Sequence, residues 1–468
     1  MPSAGKLSIV GIGPGDLSQI TRAAAQAISN AHFVVGYRPY LELIGDLIPG
    51  KQVVESGMGQ EVERVKTAVE LAADAPVALI SSGDPNVYGM GGLGMEMAGG
   101  KAEVIPGVTS FAAAACRAGL TFSRGVAALS LSDLLTPWAE ILGRVRAAAD
   151  LDLPLALYNP RSRKRDWQLV RVLEELQEAG KGGRQMLAAR NVYRSAEEML
   201  WTSVDELLAE EDLRSRVDMF TLLIVGGKRR PSDVHFGCPG LPVIGIGPGS
   251  PDHLTALAEE RIRTSTHLLG PARYTRLIEG LQTGQVIAAD GPCPERLTRR
   301  IEQALAALRQ GGQPALLVGG DPSIFSSAGR IMDLTSGKAR VEMMPGVSAF
   351  SMLAARAGAP LANDFAVISG PGHEFQKLLD SGFAVFFYNL PADSIREVLA
   401  GLPEKQPCAL ARDLTRPGEM LHAGWAADIS IPPGEEASRC TLLVASPGSV
   451  LLGDKIVASR GYQKKYRF

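Results

Sequence analysis

A chain of 468 residues is too long for one hydrophobic core, because single domains run to roughly 100–200 residues, so three or four folding units are expected. With 46% hydrophobic and 21% charged residues, 52 glycines and 30 prolines, the composition excludes a disordered chain and suits a loop-rich α/β enzyme. A formal charge of −2, from 48 basic and 50 acidic residues, excludes a global field that would gather nucleic acid or an anionic membrane. Any anionic ligand has to be met by local clusters.

The opening MPSAGKLSIV has no long apolar core, and no run approaches the ~18 apolar residues of a spanning helix. A cytoplasmic protein with no membrane partner is therefore expected. Cys116, Cys238, Cys293, Cys408 and Cys440 are scattered and odd in number, and the six histidines form no HxxxH pattern. Reduced thiols and no protein-held metal follow.

In chain order, LSIVGIG predicts a strand, SQITRAAAQAI a helix, PVALISSG a second strand, and AEVIPG a third that leads into the helix TSFAAAACRAGL. Such alternation implies parallel strands with crossover helices and ligand loops at the carboxyl ends of the strands. After about residue 125 the pattern restarts with AALSLSD, LPLALYNP, RQMLAARN and DMFTLLIVGG, the strands of a second lobe. A cleft between two lobes is expected.

The whole arrangement then repeats. GIGPG at 11–15 returns at 245–249, GDP at 83–85 returns at 320–322, and PGVTSF at 106–111 returns as PGVSAF at 345–350. YN at 158–159 returns at 388–389, RNVYRSAE from Arg190 as RDLTRPGE from Arg412, and TLLIVG from Thr221 as TLLVAS from Thr441. Six matches in one order identify a tandem duplication. The predicted domains are residues 1–227 and 241–468, joined by a Pro- and Gly-rich linker, 228–240.

The recurring motifs carry the candidate chemistry. GIGPGD lacks the third glycine of a dinucleotide fingerprint, and Asp16 in that place would repel a pyrophosphate. It reads equally well as a tight strand-to-helix turn with Asp16 as N-cap and Gln19 closing a capping box. In GDPNVYG, Gly83 allows close backbone approach, Asp84 can accept hydrogen bonds from an amine or hydroxyl, and Pro85 fixes the turn. Thr109 and Ser110 stand at the mouth of an alanine-rich helix, where capping alone would explain them. YNPRSRKRDW gathers Arg161, Arg163, Lys164 and Arg165 beside a strand end. That is either a solvated face or a means of gripping an acidic substrate.

In combination, GxGPGD, GDP, PGV(T/S) and YN in two lobes resemble the S-adenosylmethionine-dependent tetrapyrrole (corrin/porphyrin) methyltransferases. The first half, over residues 6–227, resembles the branch that methylates precorrin-3B at C-17, through VVGYRPYLELI, ESGMGQEVERV, GDPNVYGMGG, SLSDLLTPW, ALYNPRS and ARNVYRSAE. The second half resembles a diverged copy. Ser250 replaces Asp16, SGPGHEF replaces SLSDLLTP, and Leu390–Pro391 replaces Pro160–Arg161.

The resemblance implies an α/β tandem of two-lobe methylase units, with S-adenosylmethionine held by Gly83, Asp84, Pro85, Val87, Tyr88, Thr109, Ser110, Tyr158 and Asn159. The second-half counterparts are Gly320, Asp321, Ser348, Tyr388 and Asn389. It implies a tetrapyrrole substrate met by Gly13, Pro14, Arg38, Arg161 and Arg163, with Asp16, Ser132 and Asp133 as candidates for catalysis. It further implies methylation with ring contraction in cobalamin biosynthesis, by a pseudo-dimer within the chain or a homo-oligomer. The second half is then either a methylase for C-5, C-11 or C-20 or a non-catalytic module.

Overall fold

The computed structural model describes residues 5–162, 165–229, 239–288, 295–361, 364–370, 375–433 and 439–458. Arg163, Lys164, Cys238, Cys293, most of the expected linker and the C-terminal SRGYQKKYRF lie outside the described residues.

The first lobe is a parallel sheet of β1 (Leu7–Gly11), β2 (Phe33–Tyr37), β3 (Gln52–Ser56), β4 (Val77–Ser81) and β5 (Glu103–Ile105), ordered β3-β2-β4-β1-β5. Strands β1 and β4 are buried along their whole length, as continuous apolar runs such as LSIVG and VALIS require when helices cover both faces. The next strands are β6 (Leu120–Thr121), β7 (Gly125–Ser130), β8 (Leu155–Tyr158), β9 (Gln185–Arg190), β10 (Glu198–Ser203), β11 (Thr221–Val225) and β12 (Lys228–Arg229). Lys228 and Arg229, expected in the linker, pair with β6.

The second half repeats this plan. Strands β13 (Gly240–Gly245), β14 (His267–Gly270), β15 (Gln285–Ala288), β16 (Pro314–Val318) and β17 (Arg340–Met344) form a parallel sheet in the matching order β15-β14-β16-β13-β17. Then come β18 (Phe365–Ser369), β19 (Ala384–Tyr388), β20 (Pro407–Arg412), β21 (Met420–Trp425) and β22 (Cys440–Val444).

The two second lobes are one object. Their strands make a single ten-stranded sheet, β10-β9-β11-β8-β7-β18-β19-β22-β20-β21, whose centre is the antiparallel pair β7–β18 with Val126 opposite Val367. Within it only β7–β8 and β18–β19 run parallel. The expectation of parallel strands, drawn for the first lobes, is met there, whereas the second lobes are largely antiparallel. There β9 and β10 are joined by a short connection that allows only antiparallel pairing.

The halves also exchange helices. Ser110–Ala118 sends Cys116 into the core of the other half's first lobe beside Leu241 and Val243. Ala349–Ala357 sends Ala355 beside Ile9 and Leu79. Reciprocal backbone bonds, Arg22 N–H to Leu254 O (3.2 Å) and Ala256 N–H to Ile20 O (3.0 Å), mark the same pseudo-two-fold axis. Phe111, Phe350 and Phe365 pack ring against ring across the seam, with Phe350 and Phe365 centroids 5.2 Å apart. Each buried phenylalanine contributes about 1.5–3 kcal/mol of hydrophobic stabilisation.

Candidate active site

The glycine-rich pentapeptide explains the convergence of loops above the first sheet. A Cβ on Gly11 would lie 2.6 Å from Gly107 N and from Pro85 Cδ and 2.7 Å from Gly83 O, so three strand ends meet there too closely for a side chain on Gly11. Gly13, at φ 74°, exchanges backbone hydrogen bonds with Gly83, N–H to O at 3.2 Å and O to N–H at 2.7 Å. Gly247 and Gly320 form the same bridge in the second half. The pentapeptide occurs twice because the same three-loop junction is built twice.

Beside this junction a pocket opens between the lobes, lined by Pro14, Tyr40, Ser82–Asp84, Val87, Tyr88, Thr109, Ser110, Tyr158, Asn159, Asn191, Arg194 and Met219–Leu222. It lies at the carboxyl ends of β1, β4 and β8, where open α/β sheets bind ligands. A larger cavity, about 980 Å³, is lined by Lys6, Ser8, Val77 and Glu103 at the amino ends of the strands together with Arg356 of the other half. Its position at the opposite edge of the sheet makes it the poorer candidate.

The pocket wall is hydrogen-bonded and mostly neutral. Thr109 caps the helix Ser110–Ala118 through the Ala112 N–H. The Tyr158 hydroxyl accepts from Ser110 Oγ (3.2 Å) and from Phe111 N–H (3.3 Å), which leaves its own proton for a third partner. Burial raises the Tyr158 phenol above its ordinary pKa, so it stays a neutral donor. Asn159 donates from Nδ2 to Ser130 Oγ at 3.0 Å. Tyr88 packs against Tyr158, centroids 4.8 Å apart. Tyr88 and Asn159 both hold positive φ, 54° and 50°, a sparsely populated state for side-chain-bearing residues that surrounding contacts must maintain.

Arg194 was not among the expected site residues. It donates from Nε to Pro14 O (2.7 Å) and from Nη2 to Ser82 Oγ (2.7 Å), and so ties the second lobe to the first across the pocket. Arg416 makes the matching 2.7 Å bond to Pro248 O. The signal was in the sequence, since RNVYRSAE and RDLTRPGE keep this arginine in both copies. Tyr40, Asn191 and Met219–Leu222 also line the pocket without having been singled out.

Several of the expected site residues have partners within the fold. Asp84 is buried, with Oδ1 accepting from the Asn86 N–H (2.8 Å) and Nδ2 (2.9 Å). Ser351 of the other half acts on the same carboxyl, and burial raises its pKa to about 7. Its Oδ1 braces the GDP turn at the seam, and the residue also lines the pocket. Asp321 is its buried counterpart, bonded to Ser323 and the Gly346 N–H. Gly13 spends its N–H on Gly83 O and accepts the Gly83 N–H at its own oxygen.

Asp16 is exposed and caps the turn Leu17–Gln19 through the Ser18 N–H (2.7 Å). The expected capping box is not formed, since Gln19 Oε1 is buried without a hydrogen bond. Arg38 is exposed and paired with Glu55 at 3.1 Å. Arg161 is anchored on Arg214 O (2.9 Å). Ser132 donates its N–H to Ser130 Oγ, and Asp133 accepts from Gln168 Nε2 at 2.9 Å; neither lines the pocket. Arg165, from the same basic run, reaches Leu131 O (2.6 Å) and Asn159 O (2.8 Å) and joins the SLSD loop to the YN turn.

Of the expected cofactor residues, Gly83, Asp84, Val87, Tyr88, Thr109, Ser110, Tyr158 and Asn159 are brought to one pocket, and Pro85 packs behind Gly11. In the second half Tyr388 accepts from Phe350 N–H (2.7 Å), Asn389 from Nδ2 meets Ser369 Oγ (3.4 Å), and Ser348 contacts Ser351. The bonds from the helix N–H to the tyrosine and from the asparagine to the serine are kept in both copies. Among the described residues no cluster of potential metal ligands occurs, and no helix is long and apolar enough to cross a membrane.

The sequence pattern of the tetrapyrrole (corrin/porphyrin) methylases matches residues 6–208 and again 240–429. A cobalamin biosynthesis protein, CbiHC of Archaeoglobus fulgidus, is 41% identical over 231 residues, which is 48% of this chain and 50% of that protein. The match thus spans about half the length of that relative. A probable cobalt-factor III C(17)-methyltransferase of Salmonella typhimurium is 39% identical over 47% of this chain and 92% of its own. The crystal structure of the methyltransferase CobJ aligns with 48% of this chain and 97% of its own at 32% identity and a TM-score of 0.44.

Proposed function

Because the chain belongs to the tetrapyrrole (corrin/porphyrin) methylase family, we propose that its first half methylates precorrin-3B, or the cobalt-factor III equivalent, at C-17 with ring contraction, using S-adenosylmethionine. The observation that carries this reading is the pocket itself. Eight of the nine residues expected to hold the methyl donor converge there from both lobes.

The wall fits that donor. Thr109, Ser110, Tyr158, Asn159 and Asn191 are neutral hydrogen-bonding groups, suited to adenine, ribose and an amino-acid end. Arg194 is the cation of this lining, and its bonds to Pro14 O and Ser82 Oγ hold its guanidinium at the lobe junction. S-adenosylmethionine supplies an electrophilic methyl group. The chain's own task is to hold that group and the ring carbon in line, an orientation effect worth up to ~7–11 kcal/mol in ideal cases. Met219 and Phe220 are 41% and 52% exposed at the rim, an apolar surface on which a macrocycle can rest.

A second reading, methylation by both halves, has one observation in its favour. A cavity of about 500 Å³ in the second half is lined by Arg273, Arg276 and Arg296 beside Phe325, groups suited to a polycarboxylate. The test is anaerobic incubation of the full chain with S-adenosylmethionine and trimethylated precorrin or its cobalt form, with product mass as readout. One added methyl and a contracted ring are expected. Two methyls would favour the second reading, and none on either substrate would overturn the assignment to this branch.

A further inference from the structure

Behind the wall of the first-half pocket stands a side chain from the other half. Asp364, immediately before β18, is 4% exposed and crosses the seam. Its Oδ1 accepts from the Tyr88 hydroxyl (2.8 Å) and from Ser130 N–H (2.9 Å), and its Oδ2 pairs with Arg144 Nη1 (2.9 Å). Ser130 Oγ in turn accepts from Asn159 Nδ2. The two pocket residues with strained backbones, Tyr88 and Asn159, are thus both tied to one carboxylate, directly and through Ser130.

The duplication supplies an internal control. From Thr109/Ser348 to Ser130/Ser369 the copies run at one offset, 348 − 109 = 239 and 369 − 130 = 239, which sets Gly125 (125 + 239 = 364) opposite Asp364. Across the GDP motif the offset is 320 − 83 = 237, which sets Phe325 opposite Tyr88. Phe325 stacks on Tyr388 at 5.1 Å, as Tyr88 does on Tyr158. The ring pair is therefore common to both halves, whereas the hydroxyl and the carboxylate that receives it are present on one side and absent together on the other.

We propose that Asp364 is a positioning residue for the first-half pocket, fixing the Tyr88 phenol and, through Ser130, the Asn159 amide, so that ligand binding in the first half depends on a residue of the second. The proposal rests on the reading of that pocket as the S-adenosylmethionine site. A bare role in holding the seam together would need Arg144 and Asp364 but not the Tyr88 hydroxyl.

The two roles separate in the full chain by calorimetric binding of S-adenosylhomocysteine, with thermal midpoints recorded alongside. Removing both charges together, Arg144→Met with Asp364→Ala, avoids stranding a buried ion. Asp364→Leu in place of alanine serves if that protein does not fold. Tyr88→Phe and the charge-free variant should each weaken binding about tenfold, the scale of one hydrogen bond, and their combination should be no more than about twofold weaker than either alone. Arg144→Met with Asp364→Asn, which keeps the acceptor oxygen, should recover most of the affinity at a similar thermal midpoint. Wild-type affinity in the charge-free variant, or losses that multiply, would overturn the proposal. Failure of the unaltered chain to bind would overturn the reading of the pocket.

Discussion

Asp84 shows what a motif conceals. GDP after a strand marks a ligand loop, and the residue type suggests an exposed acceptor, but the direction of a side chain is set by what packs around it. Here that is the other half, which a linear reading does not bring near. An unfolded carboxyl titrates near 4 and this one at about 7, so the folded state binds the proton more tightly. The associated stability is fully present below about pH 4, declines as pH rises towards 7, and is lost above it. Asp84→Asn should therefore gain on the parent between pH 5 and pH 8, by at most about 3 kcal/mol, in urea unfolding at the two pH values. An equal difference at both would refute the assignment. Arg194 is the opposite case: its repetition was visible, but nothing in RNVYRSAE says that its guanidinium reaches Pro14 some 180 residues away. Arg194→Met, which keeps the aliphatic stem, should weaken S-adenosylhomocysteine binding about tenfold, measured by calorimetry; unchanged affinity would reduce the bridge between lobes to decoration.

Among the elements, those with strong local signals were legible. The buried runs LSIVG and VALIS and the capped, alanine-rich helix Ser110–Ala118 follow from burial on both faces and from Thr109. Strand β10, EMLWTS, was not foreseen, because as an edge strand it is only partly buried and lacks a continuous apolar run. The antiparallel order of the second lobes was not legible either, since periodicity reports exposure and not partner direction. The three-loop junction makes a direct prediction. Gly11→Ala would place a methyl group against the backbone of Gly107 and Gly83, and should destabilise the chain by about 1–3 kcal/mol in chemical denaturation. A neutral effect would mean that the loops can part without cost.

For the molecule as a whole, the shared sheet and exchanged helices predict one cooperative unit where the repeat alone suggests two. Trp138, Trp167 and Trp201 report on the first half and Trp425, in β21, on the second. A chain with Trp425→Phe, and one keeping Trp425 with the other three changed to Phe, should unfold at the same denaturant midpoint. Separated midpoints would show that the β7–β18 seam couples the halves weakly.

The seam lies within one polypeptide. In a dimer of identical subunits every substitution appears twice, and an acid introduced beside one pocket is imposed on the other. A covalent pair is free of that constraint. Asp364 could arise opposite Tyr88 while Gly125, held at φ 132° with Val367 O only 2.5 Å from where its Cβ would stand, stayed bare at the mirror position. Fusion thus turns an obligatory symmetry into a division of labour, in which one copy can be refined for its ligand while its twin changes independently.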